Sequence, residues 1–159
     1  MPSISIDDRR AQLLACAEAV APLAQNRNIT AVHVSKVEAD HEIRRVLETI
    51  VRRWTKGVGP TYESRAGTLA KPADLDHVVP CRVIVDRMIM NPAECEALLQ
   101  ESIVIARITK DEHRKLGGIW ADHPEVYARL LTAPVGELHT IGLERYSNKG
   151  VKVERIKGA

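Results

Sequence analysis

The residues of this chain best placed to do chemistry are two neighbours, Asp76 and His77, and one residue further along, His113. The segment Asp76-His77-Val78-Val79-Pro80 reads as the end of a short extended stretch, Leu75 to Val79, closed by a proline. Ile103 to Ile108 is a β-branched run and reads as a buried strand. Thr109-Lys110-Asp111-Glu112-His113-Arg114-Lys115 follows, and its Thr and Glu make a capping box, so His113 falls one turn into a helix. Imidazole titrates near neutral pH and can take a proton from an attacking water. Antiparallel pairing of Leu75 to Val79 with the strand 103–108 is expected to bring Asp76, His77 and His113 to one small polar site. The nearby helix start would favour an anion such as phosphate there.

In outline, an Asp-His pair on an extended segment, a spacer, a strand and a helix carrying a second His resemble the ββα-metal, or HNH, nucleases. The first motif of that family has the form Asp-His-hydrophobic-hydrophobic-Pro. The resemblance covers about Leu75 to Lys115 and implies metal-dependent phosphodiester hydrolysis, or a degenerate relative of such an enzyme. It implies that Asp76 and His113 bind one divalent metal ion (Mg, Mn or Zn) and that His77 is the general base. The ion would offset the charge that builds on the scissile phosphate and the leaving oxygen. DNA or RNA would be the partner, with Arg82, Arg107, Arg114 or Lys115 available to hold phosphate. The chain departs from the family pattern in its spacer, which reads as two helices. For the family's middle Asn the candidate is Asn91, which also reads as a helix cap. The wider order, adding Arg145-Tyr146 and Gly150-Val151, is similar to uncharacterised phage and bacterial proteins and implies no activity.

A different function class rests on the helix expected over about Val37 to Lys56. Ser35 and Glu38 form a capping box, and Ile43, Val46, Leu47, Ile50, Val51 and Trp54 make one apolar stripe. Arg44, Arg45, Arg52 and Arg53 lie on its polar side and suit a phosphate backbone, as in a non-catalytic nucleic-acid- or protein-binding module. The same charges also have a purely structural reading. Acidic residues lead the helix, basic ones end it, and Glu48 stands four residues from both Arg44 and Arg52. A paired-histidine phosphoesterase pattern is only half present: His33 has Ser35 two residues on, whereas His139 has Ile141. His41 and His123 sit at or near helix starts.

The elements that must position these residues suit one helix-rich α+β domain with a small antiparallel sheet and a C-terminal hairpin. Helices are expected over Asp7 to Ala24, ended or kinked by Pro22, and from Pro80, from Asn91-Pro92-Glu94, and from Asp122-Pro124-Glu125. Residues 57–74 read as a connection, and Leu138 to Tyr146 with Val151 to Ile156 read as the hairpin. At 159 residues and 45% apolar composition the chain can bury a real core, and without Phe that core is aliphatic. The low aromatic content argues against base-stacking platforms. Cys16, Cys81 and Cys95 form no Cys-x-x-Cys pair, so zinc knuckles and redox dithiols are not indicated. Buried free thiols and a cytoplasmic setting are expected instead. The polar, charged first ten residues do not read as a signal peptide, and no apolar run is long enough to span a membrane.

Overall fold

The computed structural model describes residues 5–25 and 36–157. Its first helix, α1 (Ile6–Val20), starts where the Ser5 hydroxyl accepts the Asp8 N–H at 3.0 Å. It passes into a 3-10 turn, Ala21–Ala24, at Pro22, which has no N–H to continue the α ladder. The second helix, α2 (Lys36–Thr55), buries Leu47, Ile50, Val51 and Trp54 and packs on α1 and on the later helix α4 (Cys81–Met90). Val46, expected in that buried stripe, is 40% exposed and lies at its solvent edge. The capping box of Ser35 with Glu38 falls outside the described residues, as does His33.

A four-stranded sheet stands beside the helices. Its strands are β1 (Tyr62–Ser64), β2 (Asp74–His77), β3 (Ile105–Ile108) and β4 (Val153–Arg155), in the order β2-β3-β1-β4. The expected antiparallel pairing of β2 with β3 is present, with Asp76 opposite Ala106 and His77 opposite Ile105. The sheet is nevertheless mixed, because β1 runs parallel to β3 and antiparallel to β4. Residues 57–74 are therefore not a bare connection: they hold β1 and a short helix, α3 (Arg65–Leu69), capped by Ser64. A three-residue strand has too few positions to show a period, and this one exists because it is hydrogen-bonded on both sides. Asn91 ends α4 without any side-chain cap bond; Pro92–Glu94 form a 3-10 turn, and α5 (Cys95–Glu101) follows.

Beyond β3 come α6 (Lys110–Leu116), α7 (Ile119–Asp122), α8 (Pro124–Thr132) and α9 (Leu138–Asn148). The capping box of Thr109 with Glu112 is present in full, and Gly117, at φ 65°, ends α6. No C-terminal hairpin forms, because its expected first strand is α9. Leu138, Ile141, Gly142, Arg145 and Tyr146 are its buried residues, spaced three and four apart as one helix face requires. Gly150, at φ 68°, then lets the Val151 N–H reach back to the Tyr146 carbonyl and the Gly150 N–H to that of Ser147, which satisfies the end of α9. Gly142 allows α9 to lie against the end of β2: a Cβ there would stand 2.5 Å from the Val78 carbonyl oxygen.

Two apolar clusters result. One is built by α1, α2, α4, α5 and α8 with the start of α9, and the other lies under the sheet around Val78, Ala106, Ile108, Leu116, Tyr146 and Val151. Cys95 is buried and Cys81 half-buried, but Cys16 is exposed, so the expectation of buried thiols fails there. Among the described residues, no helix is long and apolar enough to cross a membrane.

Candidate functional site

Strand alternation puts Asp74 and Asp76 on one face of β2 and His77 on the other. The Asp-bearing face is covered by α6 and α9, and three side chains from those helices meet the two carboxylates. His113, from α6, lies between them: its Nδ1 is 3.1 Å from Asp74 Oδ2 and its Nε2 is 3.5 Å from Asp76 Oδ1. Arg145 and Tyr146, from α9, both donate to the other oxygen of Asp76, Oδ2. Arg145 also donates to the His77 carbonyl at 2.7 Å. Asp76 is thus held by one oxygen in a buried network, and its second oxygen is turned toward an imidazole that is 46% exposed. Burial, with the adjacent Asp76 carboxylate, pushes the Tyr146 hydroxyl well above its ordinary pKa, so it serves as a hydrogen-bond donor.

The helix that presents His113 is locked to the sheet by its own cap. Glu112 accepts the Thr109 N–H at 2.8 Å and the Ser64 hydroxyl at 2.7 Å, so the first turn of α6 is tied to β1. These bonds hold the Glu112 carboxyl below its usual pKa against an opposing cost of desolvation.

The structure brings Asp76 and His113 together as expected, and it does not bring His77 to them. The His77 Nε2 lies 2.8 Å from Thr55 Oγ1 on α2. The Thr55 hydroxyl hydrogen is already given to the Val51 carbonyl at 2.8 Å, so Nε2 must be the donor to Thr55. Only Nδ1 of His77 is left to accept a proton. Burial lowers the pKa of this imidazole below its ordinary 6.5, with Asp76 opposing the shift and Arg52 and Arg145 adding to it.

That shift has a measurable consequence. Because the folded protein binds the His77 proton more weakly than the unfolded chain does, its contribution to stability is intact above pH 6.5 and lost as pH falls below that value. The parent is expected to lose more urea resistance between pH 7.5 and 5.5 than His77→Gln does, the other histidines being common to both. Equal losses in the two proteins would show that His77 titrates alike in both states.

The arginines of α2 do not form one phosphate-facing set. Arg44 turns inward and pairs with the buried Asp86, whose other oxygen accepts the Tyr127 hydroxyl at 2.9 Å. Arg45 pairs with Glu42 at 2.7 Å. Arg52 and Arg53 are exposed and form no ion pair among the described residues. Arg82 stacks over the Trp120 ring at 4.1 Å from its centroid, Arg107 lies 3.5 Å from Glu63, and Arg114 pairs with Asp111 at 2.6 Å. Lys115 is exposed near the end of α6. His123 is buried and donates to the Leu116 carbonyl at 2.7 Å, which ties α8 to α6. Burial also raises the Cys81 and Cys95 thiols to about 11, so neither is an activated nucleophile.

Three members of the cluster, Asp74, Arg145 and Tyr146, were not assigned a role from the sequence. Asp74 had a usable signal, since residues two apart on a strand share a face. The contribution of α9 had none, because it depends on how a distant helix docks. Comparison with protein-family models, curated proteins and solved structures gives no match for this chain.

Proposed function

We propose that this protein is a metal-dependent phosphodiesterase acting on nucleic acid in the cytoplasm, with Asp76 and His113 as the metal ligands. The observation that carries the reading is the line Asp74–His113–Asp76. With its Nδ1 proton donated to Asp74, the neutral tautomer of His113 would present the Nε2 lone pair toward the free oxygen of Asp76. A carboxylate behind a ligand histidine fixes the tautomer and ring orientation that metal binding needs. The donor set fits a divalent ion. Nε2 and Oδ1 are 3.5 Å apart, a span that two bonds of about 2.0–2.2 Å can bridge. The two carboxylates also outnumber the one guanidinium beside them.

No third His, Cys, Asp or Glu joins the pair as a ligand set among the described residues. Water and phosphate oxygen would complete the coordination, as is usual for Mg²⁺ or Mn²⁺. A bound ion would offset charge on the scissile phosphate. Arg145 and Tyr146 orient Asp76, and Glu112 holds the helix that carries His113. The antiparallel pair β2–β3 with α6 beyond it supports the same reading, since it is the strand–strand–helix outline of the family resembled. Here α4 and α5 occupy the spacer. This reading gives His77 no role as base, because its imidazole is engaged on the α2 side.

The test is direct. Purified protein is incubated with plasmid, single-stranded DNA and RNA in Mg²⁺, Mn²⁺ or Zn²⁺, each with a chelator control. Metal-dependent cleavage of at least one substrate is expected. No cleavage with any ion, together with no metal uptake by calorimetry, would overturn the proposal.

A further inference from the structure

A basic groove of about 640 Å³ lies at the far edge of the sheet, flanked by α3 and the edge strand β4. Arg65 comes from α3, while Lys152, Arg155 and Lys157 come from β4 and its flanks. Among the described residues none of these four cations forms an ion pair. Two carboxylates share the groove, but Glu63 is 3.5 Å from Arg107 on β3 and so is partly neutralised. That leaves Glu154 against four free cations. The contrast with α2 is plain, since two of its four arginines are taken up by Asp86 and Glu42.

The α3 wall of the groove is tied by one hydrogen bond to the helix that carries His113. Ser64 caps α3 with its hydroxyl oxygen and gives its hydroxyl hydrogen to Glu112 on α6, so the groove wall and the helix carrying His113 share one residue. Gly67 lets α3 sit directly on the end of β3: a Cβ there would stand 2.5 Å from the Arg107 carbonyl oxygen.

We infer that the α3–β4 groove binds the phosphate backbone of a nucleic-acid strand. The choice of ligand rests on the phosphodiesterase reading above, while the place of binding rests on the unpaired cations and their link to α6. Contacts of this kind are electrostatic and read no bases, so binding should weaken with salt for every sequence alike.

The experiment is fluorescence anisotropy of the full chain with a labelled duplex of about 20 base pairs and its single strand, in chelator, over roughly 50–200 mM salt. The variant Lys152→Glu, Arg155→Glu, Lys157→Glu is expected to bind at least about tenfold more weakly, and its log–log salt slope should fall by about 2–3. Arg52→Glu with Arg53→Glu should remain within about twofold of the parent. Circular dichroism confirms folding in each case. Equal binding by the groove variant and parent, loss confined to the α2 variant, or no binding by the parent would overturn the inference. Parent that binds in chelator yet never cleaves with metal would overturn the phosphodiesterase reading and leave the groove standing.

Discussion

Replacing His113 with Ala is expected to lower metal-dependent cleavage by at least about 100-fold and to weaken metal uptake, with the fold unchanged. The magnitude follows from an ordering of effects. Removing a residue that merely supports a ligand costs about 10–100-fold in metal affinity, so removing the ligand itself should cost no less. Asp74→Ala is the matched comparison. It leaves both ligands in place but frees the His113 ring, so its loss should fall within that 10–100-fold range. Folding should survive either change, because the His113 side chain is 46% exposed and Asp74 is not in the core. His77→Gln separates this arrangement from the one the motif alone implies. If His77 is held by Thr55 and not by the reacting groups, cleavage by His77→Gln should stay within a few-fold of the parent and only stability should fall. A rate lost with His77→Gln but kept with His113→Ala would reverse the assignment.

Arg87→Ala is expected to destabilise the fold by about 3–5 kcal/mol, the range for breaking a buried ion pair. The Arg87 side chain is only 6% exposed, yet all three of its guanidinium nitrogens donate hydrogen bonds. Its Nε and Nη2 donate to Glu94, and Nη1 donates to the carbonyls of Leu130 and Ala133 at 3.1 and 2.7 Å. Those carbonyls lie at the C-terminal end of α8, where helix geometry leaves them unpaired. One side chain thus clips α4 to the turn before α5 and to the end of α8. Arg87→Lys should recover only part of the loss, since an ammonium cannot reproduce the planar fork. Urea unfolding monitored by circular dichroism measures both, and a loss below about 1 kcal/mol for Arg87→Ala would show that water replaces these bonds at little cost.

Much of the local structure was legible in the chain because it is set by near neighbours. The Thr109–Glu112 box and the 3.6-residue stripe of α2 both act within one or two turns. The pairing of β2 with β3 was legible too, since a β-branched run and an extended segment ending in Pro80 have few other ways to satisfy their backbones. Where the local signal was ambiguous it misled. Leu138 to Tyr146 contains both a two-residue and a three-to-four-residue apolar spacing, and the latter prevails because only a helix lays Gly142 against the Val78 carbonyl and Tyr146 on Asp76.

The candidate site divides along the same line. That Asp76 and His113 carry suitable donor atoms is a property of the residues themselves. Asp74, two residues before Asp76 and on the same face, was within reach of strand periodicity. The remaining decisions belong to tertiary structure. The pleat of β2 and the placement of α2 take His77 to Thr55, the docking of α9 brings Arg145 and Tyr146 to one oxygen of Asp76, and the buried Asp86 turns Arg44 away from solvent. Each joins residues far apart in the chain, where no local period exists to record the contact, and each follows from burying charge only where a partner is already in place.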